Sequence, residues 1–284
     1  MEADKDLLTK FISDALKEDI GDGDHTSLST IPAGQQGRAR LLVKEDGVIA
    51  GVEVALEIFR QVDPLLDIDI LIHEGTKVKY GDIVLTVSGS SYSILVAERL
   101  VLNIMQRMSG IATTTRRIVN LLKDTKTQVL DTRKTTPNMR FLEKLAVKTG
   151  GGVNHRFGLY DMILIKDNHV DYAGGISAAL TAAKNYIDIN KKNIPVEIEV
   201  RNFKELNEVI ACGKVDRILL DNFEFSDLRK AVDLIDGKFV TEASGGITEE
   251  NVLEYARCGV DYVSMGALTH SVKSLDMSLK AFKN

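Results

Sequence analysis

Apolar and polar positions follow two different patterns along the chain, and the change between them divides it into two parts. In the first part, apolar residues recur with helical spacing over 7–18 and 52–59, which predicts two amphipathic helices. A long helix is predicted over 94–122, with a break at Ser109-Gly110. Short alternating runs are typical of half-exposed antiparallel strands. These strands are predicted at 38–43, 48–50, 68–72 and 83–87.

The second part contains short apolar runs separated by helix-length amphipathic segments, which is the pattern of a parallel sheet with crossover helices. The runs lie at 128–130, 162–165, 196–199, 218–220, 239–241 and 262–265. Five of them end in polar or charged residues, and the last ends in a small-residue turn followed by a histidine. In α/β barrels the carboxyl ends of the strands form the face that carries the chemistry. The pattern therefore predicts one lined pocket.

These patterns predict an α/β protein with two domains. A carboxy-terminal α/β barrel is expected over 111–270, after an amino-terminal α/β domain over 1–110. A short terminal helix is predicted at 274–282, and the segment 271–284 that contains it is assigned to the first domain.

Composition narrows the class of protein. The 284 residues are 44% hydrophobic and 27% charged, as in soluble globular proteins, and the net charge of −5 argues against a general nucleic-acid binder. Two cysteines outside any CxxC motif indicate a reducing compartment, so the cytoplasm is expected. No apolar run approaches the roughly 18 residues that a membrane span needs, and the first residues do not form a signal region.

Basic residues gather at the first predicted strand ends. They are Arg133, Lys134, His155, Arg156 and Lys166. Such a cluster in an acidic protein predicts an anionic ligand, because the arginine fork binds carboxylate and phosphate and lysine acts as a movable point charge. The alternative for any single residue is an ordinary salt bridge to Asp131, Asp161 or Asp167.

Carboxylates end the next two strands. Glu199 and Asp221 could bind a divalent cation or sugar hydroxyls, act as general acid and base, or only pair with the cations. Glu197 shares a face of its strand with Glu199, so it should lie one layer deeper and need a partner. After the last two strands, Ser244-Gly245-Gly246 and Gly266 offer backbone N–H groups to a phosphate.

Read together, several long motifs resemble the quinolinate phosphoribosyltransferase family. The motifs are 18–27, 45–51, Glu98-Arg99 with Asn103, 109–113, 131–135, 151–156, 166–169 and 242–247. The resemblance covers nearly the whole chain. One departure is Asn138-Met139 after Thr136-Pro137, where the family usually has Gly-Leu; asparagine tolerates positive φ, so the turn is expected to survive.

The resemblance implies a fold, a reaction and an assembly. The fold is an amino-terminal α/β open-faced sandwich followed by an α/β barrel of unusual strand number. The reaction converts quinolinate and 5-phosphoribosyl 1-diphosphate into nicotinate mononucleotide, diphosphate and CO₂ with Mg²⁺. The assembly is a homodimer with sites near the subunit interface, to which Arg99 would contribute from the other subunit.

The resemblance also implies residue roles. Arg99, Arg133, His155 and Arg156 would hold the quinolinate carboxylates, and Lys134 and Lys166 would face the diphosphate or the pyridine acid. Glu199 and Asp221 would bind the ribose hydroxyls or the metal. Phosphate would bind at Ser244, Gly245, Gly246 and Gly266, with His270 beside them. Lys134, Lys166, Glu199 and Asp221 are the expected catalytic residues.

Two alternatives stay open. The first is a relative of the same fold that uses another substrate, such as nicotinate, or has a role associated with molybdenum transport. The second is a non-catalytic phosphosugar-binding protein, because a fold does not by itself fix a function.

Overall fold

A computed structural model of the chain describes residues 5–282. The strands in chain order are β1 (Gln36–Val43), β2 (Gly47–Val48), β3 (Asp67–Ile70), β4 (Lys77–Val78), β5 (Ile83–Ser90), β6 (Gln128–Leu130), β7 (Ile163–Ile165), β8 (Val196–Val200), β9 (Arg217–Asp221), β10 (Val240–Ser244), β11 (Tyr262–Ser264) and β12 (Met277–Ala281). The helices are α1 (Lys5–Ile20), α2 (His25–Thr30), α3 (Val52–Val62), α4 (Ser91–Leu121), α5 (Arg140–Gly150), α6 (Asp167–Ala173), α7 (Ile176–Asn190), α8 (Phe203–Cys212), α9 (Phe225–Ile235), α10 (Val252–Arg257) and α11 (Ala267–His270).

The chain divides into two compact units. One unit comprises the chain up to Arg116, the segment Thr135–Gly151 and the chain from Leu268 on; the other comprises Arg117–Lys134 and Gly152–Ala267. The units differ from the predicted boundaries by a few residues at 110 and 270, and more substantially because Thr135–Gly151 joins the first unit. Buried Glu143 of α5 explains this, since it pairs with Arg107 of α4 at 2.8 Å.

The first unit contains a four-stranded antiparallel sheet in the order β12-β1-β5-β3. Helix α3 buries an apolar face that includes Ile58 and Phe59. The Glu74 carboxylate accepts the N–H groups of Gly51 and Val52 at the start of this helix, at 2.8 and 2.7 Å. These bonds satisfy donors that a helix amino terminus otherwise leaves unpaired.

Two predictions in this unit are wrong. The predicted terminal helix at 274–282 is strand β12, which pairs antiparallel with β1 from Val43 opposite Met277 to Ala281 opposite Ala39. The reason is a period of two: Leu275, Met277 and Leu279 are buried, and polar residues alternate with them. The last two residues of the assigned segment, 283–284, lie outside the described residues.

The predicted break in the long helix is also wrong, because α4 runs without interruption from Ser91 to Leu121. Gly110 serves close packing instead: a Cβ there would collide with the Lys273 carbonyl oxygen. Ser109 is fully buried, and its hydroxyl accepts from the Ala50 N–H at 2.9 Å. Among residues 5–282, no helix combines the length and the apolar character needed to cross a bilayer.

The second unit contains a six-stranded parallel sheet in the order β6-β11-β10-β9-β8-β7, and each predicted strand of this half is present. The helices α6 to α10 lie between its strands along the chain. Ile198, Ile218, Leu220, Ala243 and Val263 are completely buried in the sheet. A parallel bridge between Leu130 and Val153 adds a short segment beside β6. The predicted α/β class with a parallel carboxy-terminal sheet is confirmed.

Candidate active site

The carboxyl ends of the parallel strands bring several predicted site residues to one edge of the sheet. Lys166 directly follows β7, Glu199 is the next-to-last residue of β8, and Asp221 is the last residue of β9. Ser244, at the end of β10, is in register with Asp221. Parallel pairing therefore places two carboxylates between a lysine and a glycine-rich loop.

Lys166 and Glu199 form the first contact across this edge. The lysine Nζ lies 3.5 Å from Glu199 Oε2, and the lysine side chain is half exposed. Burial raises the pKa of Glu199, and the charges of Asp221 and Asp167 raise it further, whereas Lys166 opposes the shift. Glu199 is thus a carboxylate whose negative charge is only partly compensated.

Asp221 is held by two neighbours. Ser244 donates its hydroxyl to Asp221 Oδ1 at 2.5 Å, and the Asn222 amide donates to Oδ2 at 2.6 Å. Asn222 has a positive φ of 55°, and its N–H donates to the Ser244 carbonyl at 2.9 Å. Sequence reasoning assigned Asn222 no role, although its position directly after Asp221 was a signal.

The glycine-rich loop depends on Gly245. Its φ is +97°, and a Cβ at this position would collide with the Asn222 side chain. Gly246 has a φ of +60° and open space around the position of a Cβ. The backbone of this loop can therefore approach a ligand more closely than a chain with side chains could.

The cations Arg133 and Arg156 lie close enough to repel each other. Burial lowers the pKa of Arg156, the charge of Arg133 lowers it further, and Glu197 and Asp161 oppose the shift. Arg133 and Lys134 are exposed after β6. Two guanidinium groups in mutual repulsion are stabilised by an anion that binds between them.

The aspartates proposed as alternative salt-bridge partners accept hydrogen bonds from local groups. Fully buried Asp131 accepts from the Asn154 amide at 2.6 Å and from the His155 N–H at 2.9 Å. Asp161 accepts from the N–H groups of Phe157 and Gly158 at 2.6 and 2.8 Å. These carboxylates shape the segment that carries His155 and Arg156.

A second polar layer lies beneath the strand ends. His155 Nε2 is 3.0 Å from Glu197 Oε2 and 3.5 Å from Glu242 Oε2, and both carboxylates are fully buried. Arg217 donates to Glu242 Oε2 at 2.8 Å. Neither oxygen of Glu197 has a hydrogen-bond partner among the described residues, so the 3.0 Å contact lacks the alignment of a hydrogen bond. The contact between His155 and Glu197 is therefore electrostatic.

Burial and the neighbouring Glu197 charge raise the pKa of Glu242 to about 7, against the opposing charge of Arg217. Glu197 lies in the deeper layer as predicted, and His155 Nε2 is the group nearest to it there, although neither oxygen of Glu197 has a hydrogen-bond partner among the described residues. Glu242 was missed because the fifth strand was predicted to end at Thr241, whereas β10 continues to Ser244. Its position two residues before Ser244 repeats the spacing of Glu197 and Glu199, and this was the available signal.

The remaining predicted residues lie in different places. Gly266 follows β11 in the second unit, whereas Arg99 in α4 and His270 at the end of α11 belong to the first unit. His270 Nδ1 lies 2.5 Å from the Ser271 hydroxyl. The roles of these three residues stay predictions.

Asn138 has a φ of 63°, as expected for the turn in which it departs from the family pattern.

Comparison with known proteins supplies independent information. The chain matches the family model of the quinolinate phosphoribosyl transferase C-terminal domain over residues 111–280 and that of the N-terminal domain over 24–109. It is 47% identical to quinolinate phosphoribosyltransferase [decarboxylating] 1b of Nicotiana tabacum over 281 residues, covering 94% of this chain and 80% of the relative.

Two bacterial proteins are similar over almost their whole length. The probable nicotinate-nucleotide pyrophosphorylase [carboxylating] of Bacillus subtilis is 42% identical over 274 residues, which cover 96% of this chain and 92% of that protein. The crystal structure of NadC from Streptococcus pyogenes superposes with a TM-score of 0.93 at 37% identity, covering 100% of both chains. The sequence motifs, the fold and these likenesses agree, and the chain belongs to the quinolinate phosphoribosyltransferase family.

Proposed function

We propose that this chain transfers the phosphoribosyl group of 5-phosphoribosyl 1-diphosphate to quinolinate and decarboxylates the product, giving nicotinate mononucleotide, diphosphate and CO₂ in NAD biosynthesis. Membership of the family supports this reaction, and so does the decarboxylating activity after which its relatives are named. The observation that carries it is the division of one sheet edge into a cationic part at Arg133 and Arg156 and an acidic part at Glu199 and Asp221.

The cationic part suits a pyridine dicarboxylate. Arginine forks donate two parallel hydrogen bonds to a carboxylate, and the mutual repulsion of Arg133 and Arg156 is relieved when that charge arrives. A monocarboxylate such as nicotinate would leave part of this repulsion in place. Quinolinate is therefore the preferred acid, with Arg99, Arg133, Arg156 and Lys134 as its proposed ligands.

The acidic part suits the sugar. When diphosphate leaves, positive charge develops on the ribose carbon, and carboxylates fixed beside it stabilise that charge. Glu199 and Asp221 are fixed in this way by Lys166, Ser244 and Asn222. Lys166 and Lys134 neutralise the departing diphosphate, and the loop Ser244-Gly245-Gly246, with Gly266 and His270, binds the 5-phosphate.

The donor set fits Mg²⁺. The negative charges of Glu199 and Asp221 lie close enough to repel each other. Carboxylate oxygens are ligands that Mg²⁺ takes together with substrate phosphates. These two residues would hold the ion, which when bound supplies neutralisation of the diphosphate charge.

Decarboxylation needs no covalent bond to the protein. After the ring nitrogen forms its bond to the ribose carbon, the 2-carboxylate leaves as CO₂, the electron pair of the broken bond stays on C2 beside the positively charged nitrogen, and C2 then takes up a proton from water. The protein must hold the remaining carboxylate and keep the ring in place, and the arginines do this by charge-assisted hydrogen bonds.

A homodimer in which Arg99 reaches the site of the other subunit is part of the proposal, as are a cytoplasmic location and the absence of nucleic-acid and membrane partners. Mixing two inactive variants tests the dimer. Arg99→Ala and Lys166→Ala proteins, unfolded together and refolded, should regain about a quarter of the wild-type activity, because half the dimers then carry one intact site. No regain would place Arg99 in the site of its own subunit.

Steady-state kinetics with alternative acids test the reaction. The protein should release diphosphate from 5-phosphoribosyl 1-diphosphate with quinolinate and use nicotinate poorly. Equal or better use of nicotinate would favour the same-fold relative with another substrate, and no turnover with either acid would favour a binding protein.

A further inference from the structure

The buried layer beneath the strand ends contains three charged groups to which the proposed reaction gives no role. Glu197 and Glu242 are fully buried, and Arg217 is largely buried between Glu242 and the ring of Tyr262, 4.7 Å from the ring centroid. They come from the adjacent strands β8, β10 and β9. Isolated buried charges are unfavourable, so a set of this kind needs a physical explanation.

His155 connects this layer to the cationic part of the site, and both of its ring nitrogens are engaged. Nδ1 accepts the N–H of Arg156 at 2.6 Å, so it carries no proton. The proton of the neutral ring is then on Nε2, which faces Glu197 and Glu242 at 3.0 and 3.5 Å. The side chain is only 7% exposed. A ring held in this way has no nitrogen to offer to a carboxylate of the substrate.

The carboxylates also compensate charge. Glu197 opposes the lowering of the Arg156 pKa that Arg133 and burial produce. It lies two residues from Glu199 on β8, and Glu242 lies two residues from Ser244 on β10, so each is one layer below a residue of the site. The buried layer thus places two carboxyl groups, whose pKa values burial raises, beneath the cationic cluster.

A metal ion is the other explanation for this geometry. One ligand atom each of His155, Glu197 and Glu242 lie within 4.8 Å of one another. However, Arg217 already donates to Glu242 at 2.8 Å, and the charges of Arg217, Arg156 and Lys166 all act on Glu197. Guanidinium groups supply the positive charge that a metal would bring, so the observations favour a site without an ion.

We propose that Glu242 and Glu197 are positioning residues for the acid substrate: they hold the His155 ring, and the ring holds the backbone N–H of Arg156. His155 then acts through Arg156 and does not bind quinolinate through its ring, a role different from the one that the family resemblance implies. The inference rests on the proposed function, since quinolinate is the ligand of Arg156.

Kinetics of isosteric variants test the proposal. Glu242→Gln and Glu197→Gln should each raise the KM for quinolinate about tenfold and leave the KM for 5-phosphoribosyl 1-diphosphate within about twofold. Asp261→Asn is the matched control, because Asp261 accepts hydrogen bonds from Thr241 at the amino end of the same strand, and both KM values should stay within about twofold of wild type. Equal changes in both KM values, or no change in either, would overturn the proposal.

Nitrogen NMR of the wild-type protein tests it without relying on catalysis. The chain has five histidines, so ¹⁵N-histidine labelling gives few signals, and a His155→Asn protein identifies the relevant pair. We expect a neutral ring with the proton on Nε2, unchanged by added Zn²⁺. A proton on Nδ1, a doubly protonated ring or a shift produced by stoichiometric Zn²⁺ would overturn the proposal. Failure of wild-type protein to use quinolinate would instead remove the proposed function and leave this result standing.

Discussion

The two ends of the parallel sheet treat their carboxylates differently. At the amino ends, Asp261 accepts from the Thr241 N–H at 2.9 Å and from Lys126 at 2.8 Å, and Asp216 accepts from the Val196 N–H at 2.7 Å. At the carboxyl ends, Glu199 has a half-exposed lysine at 3.5 Å and the charge of Asp221 nearby.

The same difference appears in the pKa values of Asp261 and Glu199. Burial opposes ionisation of Asp261, but hydrogen bonds from Lys126 and Thr241 outweigh it and lower its pKa. Burial raises the pKa of Glu199, and Lys166 does not compensate it. Asp261 at the amino ends is therefore stabilised by groups of the protein itself, whereas Glu199 at the carboxyl ends holds a charge that a ligand would stabilise. Perturbed groups of this kind concentrate at functional sites.

The largest effect is expected from Lys166→Ala. Loss of this cation should lower kcat/KM at least about 1,000-fold, because a fixed charge beside the leaving diphosphate acts mainly in the transition state. Lys126→Ala removes a lysine from the other end of the sheet and should change kcat/KM less than about twofold. Comparable losses in a steady-state assay of both variants would contradict the distinction between the two ends.

Arg156→Lys should raise the KM for quinolinate about 10-fold to 150-fold. The variant keeps the charge but loses the fork, and a charge-assisted hydrogen bond is worth about 1.5–3 kcal/mol. Isothermal titration with quinolinate gives the same difference as a change in Kd. An unchanged Kd would mean that the acid binds elsewhere.

A smaller effect is expected from Gly245→Ala, and Gly246→Ala is its control. Both positions have positive φ, which disfavours alanine by about 1–2 kcal/mol, but only at Gly245 would the new Cβ meet Asn222. Gly245→Ala should therefore be less stable in urea than Gly246→Ala and should show the higher KM for 5-phosphoribosyl 1-diphosphate. Equal stability of the two variants would show that Asn222 moves freely.

The smallest effects concern stability against pH. A lowered folded-state pKa means that ionised Asp261 stabilises the fold above its unfolded value and that this contribution disappears as pH falls through the folded value. Asp261→Asn should thus destabilise the protein by about 1 kcal/mol at pH 7 and less at pH 3.

Glu199→Gln should act in the opposite direction. Because the folded-state pKa of Glu199 is raised, the ionised group destabilises the fold at pH values above it. The variant should be more stable than wild type at pH 8, and the difference should shrink as pH falls towards 4. Urea titrations at these pH values measure both changes. A Glu199→Gln protein less stable than wild type at pH 8 would contradict the conclusion that the charge of Glu199 is unfavourable in the folded protein.

Much of the second unit could be predicted because its strands are short, apolar and clearly separated. The errors have local causes. The segment Met277–Ala281 alternates with a period of two, yet its few residues were also compatible with a helix, and only pairing with β1 decides. Gly110 was interpreted as a helix break because the close approach of Lys273 depends on tertiary structure.

The site shows the same limit. The sequence predicted that Lys166, Glu199 and Asp221 lie at one edge of the sheet, because parallel strands place their carboxyl ends together. His155 was also found, but its ring orientation was not, since it depends on Glu197 and Glu242 from two distant strands. Contacts between residues far apart in the chain carry no periodic signal.

The central claim is that the cationic and acidic parts of one sheet edge serve a single decarboxylating transfer. Wild-type protein given 5-phosphoribosyl 1-diphosphate and quinolinate labelled with ¹³C in the 2-carboxylate tests this most directly. We predict labelled CO₂, diphosphate and nicotinate mononucleotide in equal amounts. Diphosphate release without labelled CO₂, or faster release with nicotinate than with quinolinate, would contradict the account.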